Sequence, residues 1–174
     1  MILVAIGANL STKTDRSPKS TCDWAIGKLR CIAAINLVSF SPWYVSAPIP
    51  ASEQPPYING MARLEGEPDP VWLLARLHAI EAATGRAPRK FPNHALSAAR
   101  TLDLDLIDVN GQISTGPDLI LPHPRAHLRA FVLLPLRDVA PDWVHPTLGR
   151  TAAELIARLP PQQIEPLAPG NRIA

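Results

Sequence analysis

The sequence has little of what marks secreted, membrane-spanning or disulfide-linked proteins. Its 174 residues include two cysteines, Cys22 and Cys31, with no CxxC pair. Neither a disulfide framework nor a cysteine zinc site is indicated, and we expect reduced thiols. No apolar run approaches the roughly 20 residues that cross a bilayer, and the first strand-like run has no basic leader or cleavage pattern. These absences predict a cytoplasmic protein without a membrane partner.

Charge of one sign and aromatic residues are also scarce. The formal net charge is +2, only 5% of residues are aromatic, and no block of Lys and Arg occurs. A nucleic-acid partner is therefore not indicated. The chain is 47% hydrophobic, which at this length allows one domain with a substantial core.

Proline, by contrast, is abundant and marks the loops. Twenty prolines punctuate the chain without a repeat, and they predict long loops at residues 47–56 and 86–99 because proline removes a backbone donor. The segment from residue 160 is also rich in proline, and we expect it to be draped or disordered. The predicted organisation is one domain over residues 1–159 followed by a Pro-rich tail over residues 160–174.

Apolar periodicity and turn signals predict the order β-α-β-β-α-β with an added hairpin. Strands are expected at residues 1–6, 37–46, 57–65 and 100–109, and helices at residues 19–34, 70–85, 126–140 and 152–159. Asn110-Gly111 predicts a two-residue hairpin into residues 112–115. The fold class is therefore α+β, with a ferredoxin-like antiparallel sheet, helices on one or both faces, the hairpin, and long active-site loops. In that topology we expect the first and last core strands to lie together at the sheet centre.

An acidic pair lies on the last core strand. Leucines alternate with Asp103 and Asp105 from residue 102 to residue 106, so one strand face is apolar and the other carries both carboxylates. The alternative is a pair of solvated carboxylates without a ligand. Arg100 and the basic segment 123–129 favour a metal-nucleotide site, because carboxylates suit hard divalent cations and basic side chains suit phosphate.

Six segments together resemble the 6-hydroxymethyl-7,8-dihydropterin pyrophosphokinases of folate biosynthesis. They occur in the family's order between residue 3 and about residue 145, and their joint occurrence is far more specific than any single motif. The segments are AIGANL (5–10), WYVSAP (43–48), QPPYING (54–60), RTLDLD (100–105), LPH (121–123) and RAF (129–131).

The resemblance implies that ATP donates its β,γ-pyrophosphoryl group to the hydroxymethyl oxygen of the pterin, releasing AMP. By similarity, Asp103 and Asp105 would hold two Mg²⁺ ions that bridge the triphosphate. The basic residues implied at the phosphates are Arg100, His123 and Arg129, with Arg86 and Arg89 closing over them from the second long loop. We expect the chain to act as a monomer.

The resemblance also implies a pterin pocket. Tyr57 and Phe131 would sandwich the flat ring, Asn59 would read its polar edge, and backbone groups around Ser46 and Ile49 would complete the pocket. From periodicity alone, the two aromatic side chains could equally be ordinary core residues.

Other functions remain open from the residues alone. A metal-dependent phosphohydrolase could use the same Asp pair to activate water, and a ferredoxin-like sheet could serve as an RNA-binding module. His123 and His127 have the spacing of a zinc pair but no nearby third ligand. The chain contains no G-x-x-x-x-G-K-[ST] motif, so phosphate binding must come from side chains and metal.

Overall fold

A computed structural model describes residues 1–85 and 100–168 of the chain. The elements are eight strands, four α-helices and one short 3₁₀ helix, and they confirm the predicted α+β class. In chain order they are β1 (Ile2–Ala8), α1 (Pro18–Leu29), β2 (Ile35–Phe40), β3 (Tyr44–Ser46), β4 (Tyr57–Gly66), α2 (Pro70–Ala82), β5 (Asp103–Val109), β6 (Ser114–Thr115), β7 (Ile120–Leu121), the 3₁₀ helix (Ala126–Leu128), α3 (Ala130–Val139), α4 (Ala152–Ile156) and β8 (Ile164–Pro166).

The main sheet has the strand order β5-β1-β4-β3-β8, and β2 also pairs with β4. The four strands of the β-α-β-β-α-β core are therefore arranged as β5-β1-β4-β2, which is the ferredoxin-like order, and the pairs of β1 and β4 are antiparallel. Strands β1 and β5 are neighbours, as predicted. The prediction that both lie at the centre is wrong for β5, because β1 and β4 take the central positions and β5 lies at one end of the order.

Helices cover both faces of the sheet. Alternate residues of β1 point to opposite sides, so that Ile2, Val4 and Ile6 pack with α1 and α2, whereas Leu3 packs with α3 and α4. Cys22 lies on the inner side of α1, is fully buried, and has a thiol whose pKa burial raises. No helix in the described ranges combines the length and apolar character needed to cross a membrane.

The strand predicted over residues 37–46 is two strands, β2 and β3, which pair with successive parts of β4. The interruption contains Pro42, which has no N–H to donate to a ladder. Ser41 supplies local bonds instead, since its N–H donates to the Met61 carbonyl at 2.9 Å and its Oγ accepts from the Met61 N–H at 3.0 Å. The Trp43 ring then lies against Gly60, where an added Cβ would approach a ring carbon to 2.5 Å.

The Asn110-Gly111 turn forms, but the expected hairpin does not continue along β5. Both residues have positive φ, 54° and 69°, as such a turn requires. Strand β6 nevertheless pairs with β7 in a separate two-stranded sheet. The Asp108 carboxylate accepts from the Gly111 N–H at 2.8 Å. This bond stabilises the turn without a second strand paired to β5, and the following residues turn away from β5.

The predicted helix 126–140 is interrupted at Arg129. This residue is extended, with φ −125° and ψ 113°, and it separates the 3₁₀ helix from α3. Two other predicted helices are shorter than expected: α1 ends at Leu29 and α4 at Ile156. The start of α2 is confirmed, because the Asp69 side chain accepts from the Trp72 N–H and Pro70 begins the helix.

Part of the Pro-rich tail forms a strand, which the sequence does not predict. Residues 164–166 form β8, which pairs antiparallel with β3 in the register Tyr44–Pro166, Val45–Glu165 and Ser46–Ile164. The prediction of a draped or disordered segment is therefore wrong for β8. Strand β8 tolerates proline at residue 166 because it lies at an end of the strand order and has a neighbouring strand on one side only.

Candidate active site

The acidic pair lies on the exposed side of β5, as the alternation predicts. Leu102, Leu104 and Leu106 are buried in the core beneath α1 and α2. The Asp103 and Asp105 side chains remain 17% and 19% exposed. Carboxylates on one face of a strand and two residues apart suit a shared cation, because oxygen ligands are what hard divalent ions prefer.

Three basic side chains approach this pair. The Arg100 guanidinium forms an ion pair with Asp103. His123 Nε2 and Arg129 Nη1 each lie 4.0 Å from Asp105 Oδ2. The structure thus brings together all five residues that the sequence predicts for the metal and phosphates within the described part of the chain.

His123 is oriented by its own loop. Its backbone N–H donates to the Ile107 carbonyl on β5 at 2.9 Å. Its Nδ1 accepts from the Arg125 N–H at 3.2 Å, so in the neutral ring the proton is on Nε2, which faces Asp105. Burial lowers the His123 pKa, and the Asp105 carboxylate partly opposes that shift. The ring is therefore prepared to donate a hydrogen bond from Nε2 to an anionic oxygen.

Asn9 ties the first strand to the acidic strand and to the Pro-rich loop. Its buried side chain accepts from the Arg100 N–H at 2.8 Å and donates to Gln54 Oε1 and the Pro55 carbonyl, each at 3.2 Å. The Asn9 N–H in turn donates to the Arg100 carbonyl at 3.0 Å. One amide side chain consequently holds the backbone of Arg100 and the end of the Pro-rich loop together.

Two of the predicted pterin residues form a polar pair on β3 and β4, which β1 separates from the acidic strand. Asn59 is 5% exposed, and its Nδ2 donates to the Ser46 hydroxyl at 2.9 Å. In the sheet, Gly7 pairs with Asn59 on one side and with Asp103 on the other. Only β1 therefore separates the amide from the acidic pair, and this arrangement suits two adjoining subsites.

The two predicted aromatic residues belong to different elements, Tyr57 to β4 and Phe131 to α3. Tyr57 is partly buried and donates to Gln54 Oε1 at 3.1 Å, and burial raises its pKa. Phe131 lies beneath Arg129, whose guanidinium carbon is 5.3 Å from the ring centroid. The Ile49 side chain is exposed in the Pro-rich loop. Arg86 and Arg89, predicted to close over the phosphates, lie outside the described residues.

Glu81 is a residue of the site that the sequence analysis misses. It continues the buried stripe of α2 after Leu73 and Leu77 and is 2% exposed. Its Oε1 accepts at 2.8 Å from the N–H of Leu104, the residue between the two aspartates. The signal that could have identified it is a carboxylate at i+4 on an otherwise apolar stripe, since a buried charge needs a specific partner.

A second concave surface adjoins His123. It is formed mainly by apolar side chains of β6, β7 and neighbouring loops, including Ile113, Ile120 and Leu148. His127 and His145 line it as well, with ring centroids 5.6 Å apart and nearly perpendicular planes. Within residues 1–85 and 100–168, no group of three or more His, Cys, Asp or Glu side chains is assembled as a metal site. The His127 ring thus packs edge-on against the ring of His145.

Comparison with known proteins agrees with the geometry. The family model described as 7,8-dihydro-6-hydroxymethylpterin-pyrophosphokinase matches residues 3–141. Three relatives, each named 2-amino-4-hydroxy-6-hydroxymethyldihydropteridine pyrophosphokinase, align with almost the whole chain. The Pseudomonas aeruginosa protein is 37% identical over 95% of this chain and 96% of its own length. The Synechocystis protein is 36% identical over 97% and 80%, and the Haemophilus influenzae protein is 32% identical over 95% and 97%.

Proposed function

Because the chain belongs to the 7,8-dihydro-6-hydroxymethylpterin-pyrophosphokinase family, we propose that the acidic end of β5 is its catalytic centre. The chain is an ATP-dependent pyrophosphokinase of folate biosynthesis. It transfers the pyrophosphoryl group of ATP to the hydroxymethyl group of 6-hydroxymethyl-7,8-dihydropterin. The pterin oxygen bonds to the β-phosphorus as the bond from that phosphorus to the α-phosphate oxygen breaks, which leaves AMP.

Asp103 and Asp105 are proposed to hold two Mg²⁺ ions together with the triphosphate. Their donor set fits, because both carboxylates lie on one strand face and neither is part of the apolar core. When bound, Mg²⁺ would neutralise triphosphate charge and align the β-phosphorus. The remaining ligands would be phosphate and water oxygens, as is usual where protein carboxylates are few.

The basic side chains are proposed to bind the phosphates. Arg100, His123 and Arg129 now face carboxylate oxygens, and phosphate oxygens are equally good acceptors for the same donors. Exchange of carboxylate for phosphate partners would place positive charge where charge develops during transfer. Arg86 and Arg89, which lie in the segment predicted to form the second long loop, are proposed to add to this charge.

The pterin is proposed to bind next to the phosphate site. The Asn59 amide, held by Ser46 at 2.9 Å, would meet the polar edge of the ring. Tyr57 and Phe131 would contact its faces, and backbone groups near Ile49 would complete the pocket. A flat heteroaromatic ligand suits such a pocket because aromatic faces and a few fixed polar groups together determine its orientation.

The observation that carries the proposal is the convergence of two carboxylates and three basic side chains at one end of β5. A buried amide lies close to them, with only β1 between its strand and β5. The direct test is chromatography of nucleotides after incubation with ATP, Mg²⁺ and 6-hydroxymethyl-7,8-dihydropterin. We expect AMP to form only when the pterin is present. Pterin-independent phosphate or ADP would instead indicate the phosphohydrolase considered above, and loss of turnover without Mg²⁺ would support the metal site.

We further propose that the chain acts as a monomeric, single-domain enzyme in the cytoplasm. The main sheet, with helices packed on both of its faces, provides a core without a second subunit. Light scattering coupled to size-exclusion chromatography should give a mass close to 18.9 kDa. A mass that is a multiple of this value would contradict the monomer.

A further inference from the structure

One side chain holds the backbone on both sides of Arg129. Gln162 lies in the segment that leads into β8, far from Arg129 in sequence. Its Oε1 accepts from the Ala130 N–H at 2.8 Å, and its Nε2 donates to the Leu128 carbonyl at 3.0 Å. These two groups belong to the residues immediately before and after Arg129, so Gln162 spans the point at which the chain changes direction.

The chain needs such support at this point. Arg129 is extended between two helical segments, and it contributes no side-chain cap to α3 among the described residues. The first N–H groups of a helix have no intrahelical acceptor, and capping them contributes to stability. Gln162 supplies that acceptor from outside the helix. Without it, the Ala130 N–H would lose its partner and the extended conformation of Arg129 would be less defined.

The conformation of Arg129 matters because of where its side chain lies. Its guanidinium is 4.0 Å from Asp105 and 5.3 Å from the centroid of Phe131. Burial lowers the Arg129 pKa, and the Asp105 carboxylate opposes that shift. Displacement of a partly buried guanidinium from its anionic partner costs free energy, because a buried charge must remain paired.

Gln162 is itself anchored by the sheet. The next residues form β8, which pairs with β3. The Gln163 carbonyl accepts from the Ala47 N–H at 3.1 Å, and the Leu167 N–H donates to the Trp43 carbonyl at 2.8 Å. Because these bonds use the backbone, the Gln162 side chain is presented to α3 from a fixed position.

We propose that Gln162 is a positioning residue that sets the backbone of Arg129 for binding the triphosphate of ATP. The inference rests on the proposed function, in which Arg129 contacts phosphate oxygens. Gln162 does not touch substrate in this proposal and acts only through Arg129. Loss of the Gln162 side chain should therefore weaken the binding of ATP but not of pterin, and only when the Arg129 side chain is present.

The test replaces Gln162 with methionine, which keeps the length of the side chain and removes both hydrogen bonds. Gln163→Met is the matched control, because the Gln163 side chain makes no hydrogen bond to the described part of the chain. Binding of a non-hydrolysable ATP analogue with Mg²⁺ is measured by calorimetry, and kcat/KM is measured for each substrate. We expect Q162M to weaken analogue binding and kcat/KM for ATP by about tenfold, with a KM for pterin close to that of Q163M and a melting temperature lower by about 2 to 4 °C, because the Ala130 N–H loses its acceptor.

A double-mutant cycle with Arg129→Ala identifies the route of the effect. If Gln162 acts through Arg129, Q162M should weaken analogue binding less than about twofold further in the Arg129→Ala background, because coupled residues are not additive. An equal loss in both backgrounds would overturn the inference, as would wild-type binding by Q162M. A wild-type chain that binds the analogue but forms no pterin-dependent AMP would contradict the proposed reaction. The binding data for Q162M would still support or refute the positioning of Arg129.

Discussion

Strand β5 carries three carboxylates, and its two ends place them in different surroundings. At the first end, Asp103 and Asp105 are partly exposed and face the side chains of Arg100, His123 and Arg129. At the far end, Asp108 is 2% exposed and accepts from the Trp143 indole N–H and the Gly111 backbone N–H, each at 2.8 Å. The same residue type on the same strand therefore has buried neutral donors at one end and partly exposed basic side chains at the other.

The difference indicates which carboxylates are available for a ligand. Asp108 has both oxygens bound by donors that are part of the fold, so a new partner would have to displace a buried hydrogen bond. The acidic pair has partners that can turn to another anion, and its two like charges gain from a cation between them. Fixed neutral donors are typical of a structural carboxylate, whereas an acidic pair that faces several basic side chains is typical of a binding site.

The largest effect is expected from removal of either member of the acidic pair. Asp103→Ala and Asp105→Ala should each lower kcat by about a thousandfold or more, because transfer would lose its metal ligands. Circular dichroism should remain that of the wild type, since neither side chain is in the core. Turnover can be followed as pterin-dependent AMP. Near-normal kinetics in either variant would contradict the metal assignment.

The opposite result is expected at the other end of the strand. Asp108→Ala leaves the Trp143 and Gly111 donors without their acceptor, and should lower the free energy of unfolding by about 2 to 4 kcal/mol. The folded fraction should keep a normal KM for ATP. Urea denaturation measures the first quantity and steady-state kinetics the second. A large rise in the KM for ATP with an unchanged free energy of unfolding would show that Asp108 is not a structural carboxylate distinct from the acidic pair.

A smaller effect is expected from Glu81, which holds the peptide between the two catalytic candidates. Glu81→Leu removes the acceptor of the Leu104 N–H and should cost about 1 to 3 kcal/mol of stability, with a higher Mg²⁺ concentration needed for half-maximal turnover. Glu81→Gln keeps an oxygen acceptor at the same position and should stay closer to the wild type in both respects. Equal Mg²⁺ dependence in the two variants would show that this bond does not position the acidic pair.

The smallest effect is a pH dependence at the far end. His145 packs against Trp143, with ring centroids 5.5 Å apart, and burial together with the neighbouring His127 lowers its pKa from 6.5. The unfolded chain therefore binds more protons between the lowered pKa and pH 6.5, so stability should fall as the pH decreases through that range.

His145→Asn tests this dependence, because its side-chain oxygen can stand near the position of Nδ1, which lies 3.3 Å from the Thr147 and Leu148 nitrogens. Unfolding free energies at several pH values between 5 and 7.5 should show a shallower slope for the variant. An identical slope would assign the pH dependence to other groups.

The sequence predicts features that depend on local patterns. Alternation separates Leu102, Leu104 and Leu106 from the acidic pair, and Asp69-Pro70 marks the start of α2, because both signals arise from residues that are neighbours along the chain. The positive φ values of Asn110 and Gly111 follow for the same reason. The resemblance to the family supplied the roles of His123, Arg129 and Asn59, which no local pattern identifies.

Features that depend on distant contacts could not be predicted in this way. The break at Arg129 falls within a run that reads as one helix, and its support comes from Gln162, more than thirty residues later. Strand β8 was missed because a short Pro-rich segment has weak strand propensity, and it forms only where β3 offers an unpaired edge. The contact of Glu81 likewise depends on Leu104, a residue more than twenty positions later in the chain.

The two cysteines offer a chemical measure of how often the fold opens. Cys31 is exposed, whereas Cys22 is buried on the inner side of α1 and its thiol pKa is raised by burial. A thiol reagent should modify Cys31 quickly and reach Cys22 only when α1 separates from the sheet, because the thiolate is the reactive form. Ligands that bind only the native state lower the population of open molecules. The labelling rate of Cys22, referred to that of Cys31, should therefore fall as ATP and pterin occupy the enzyme.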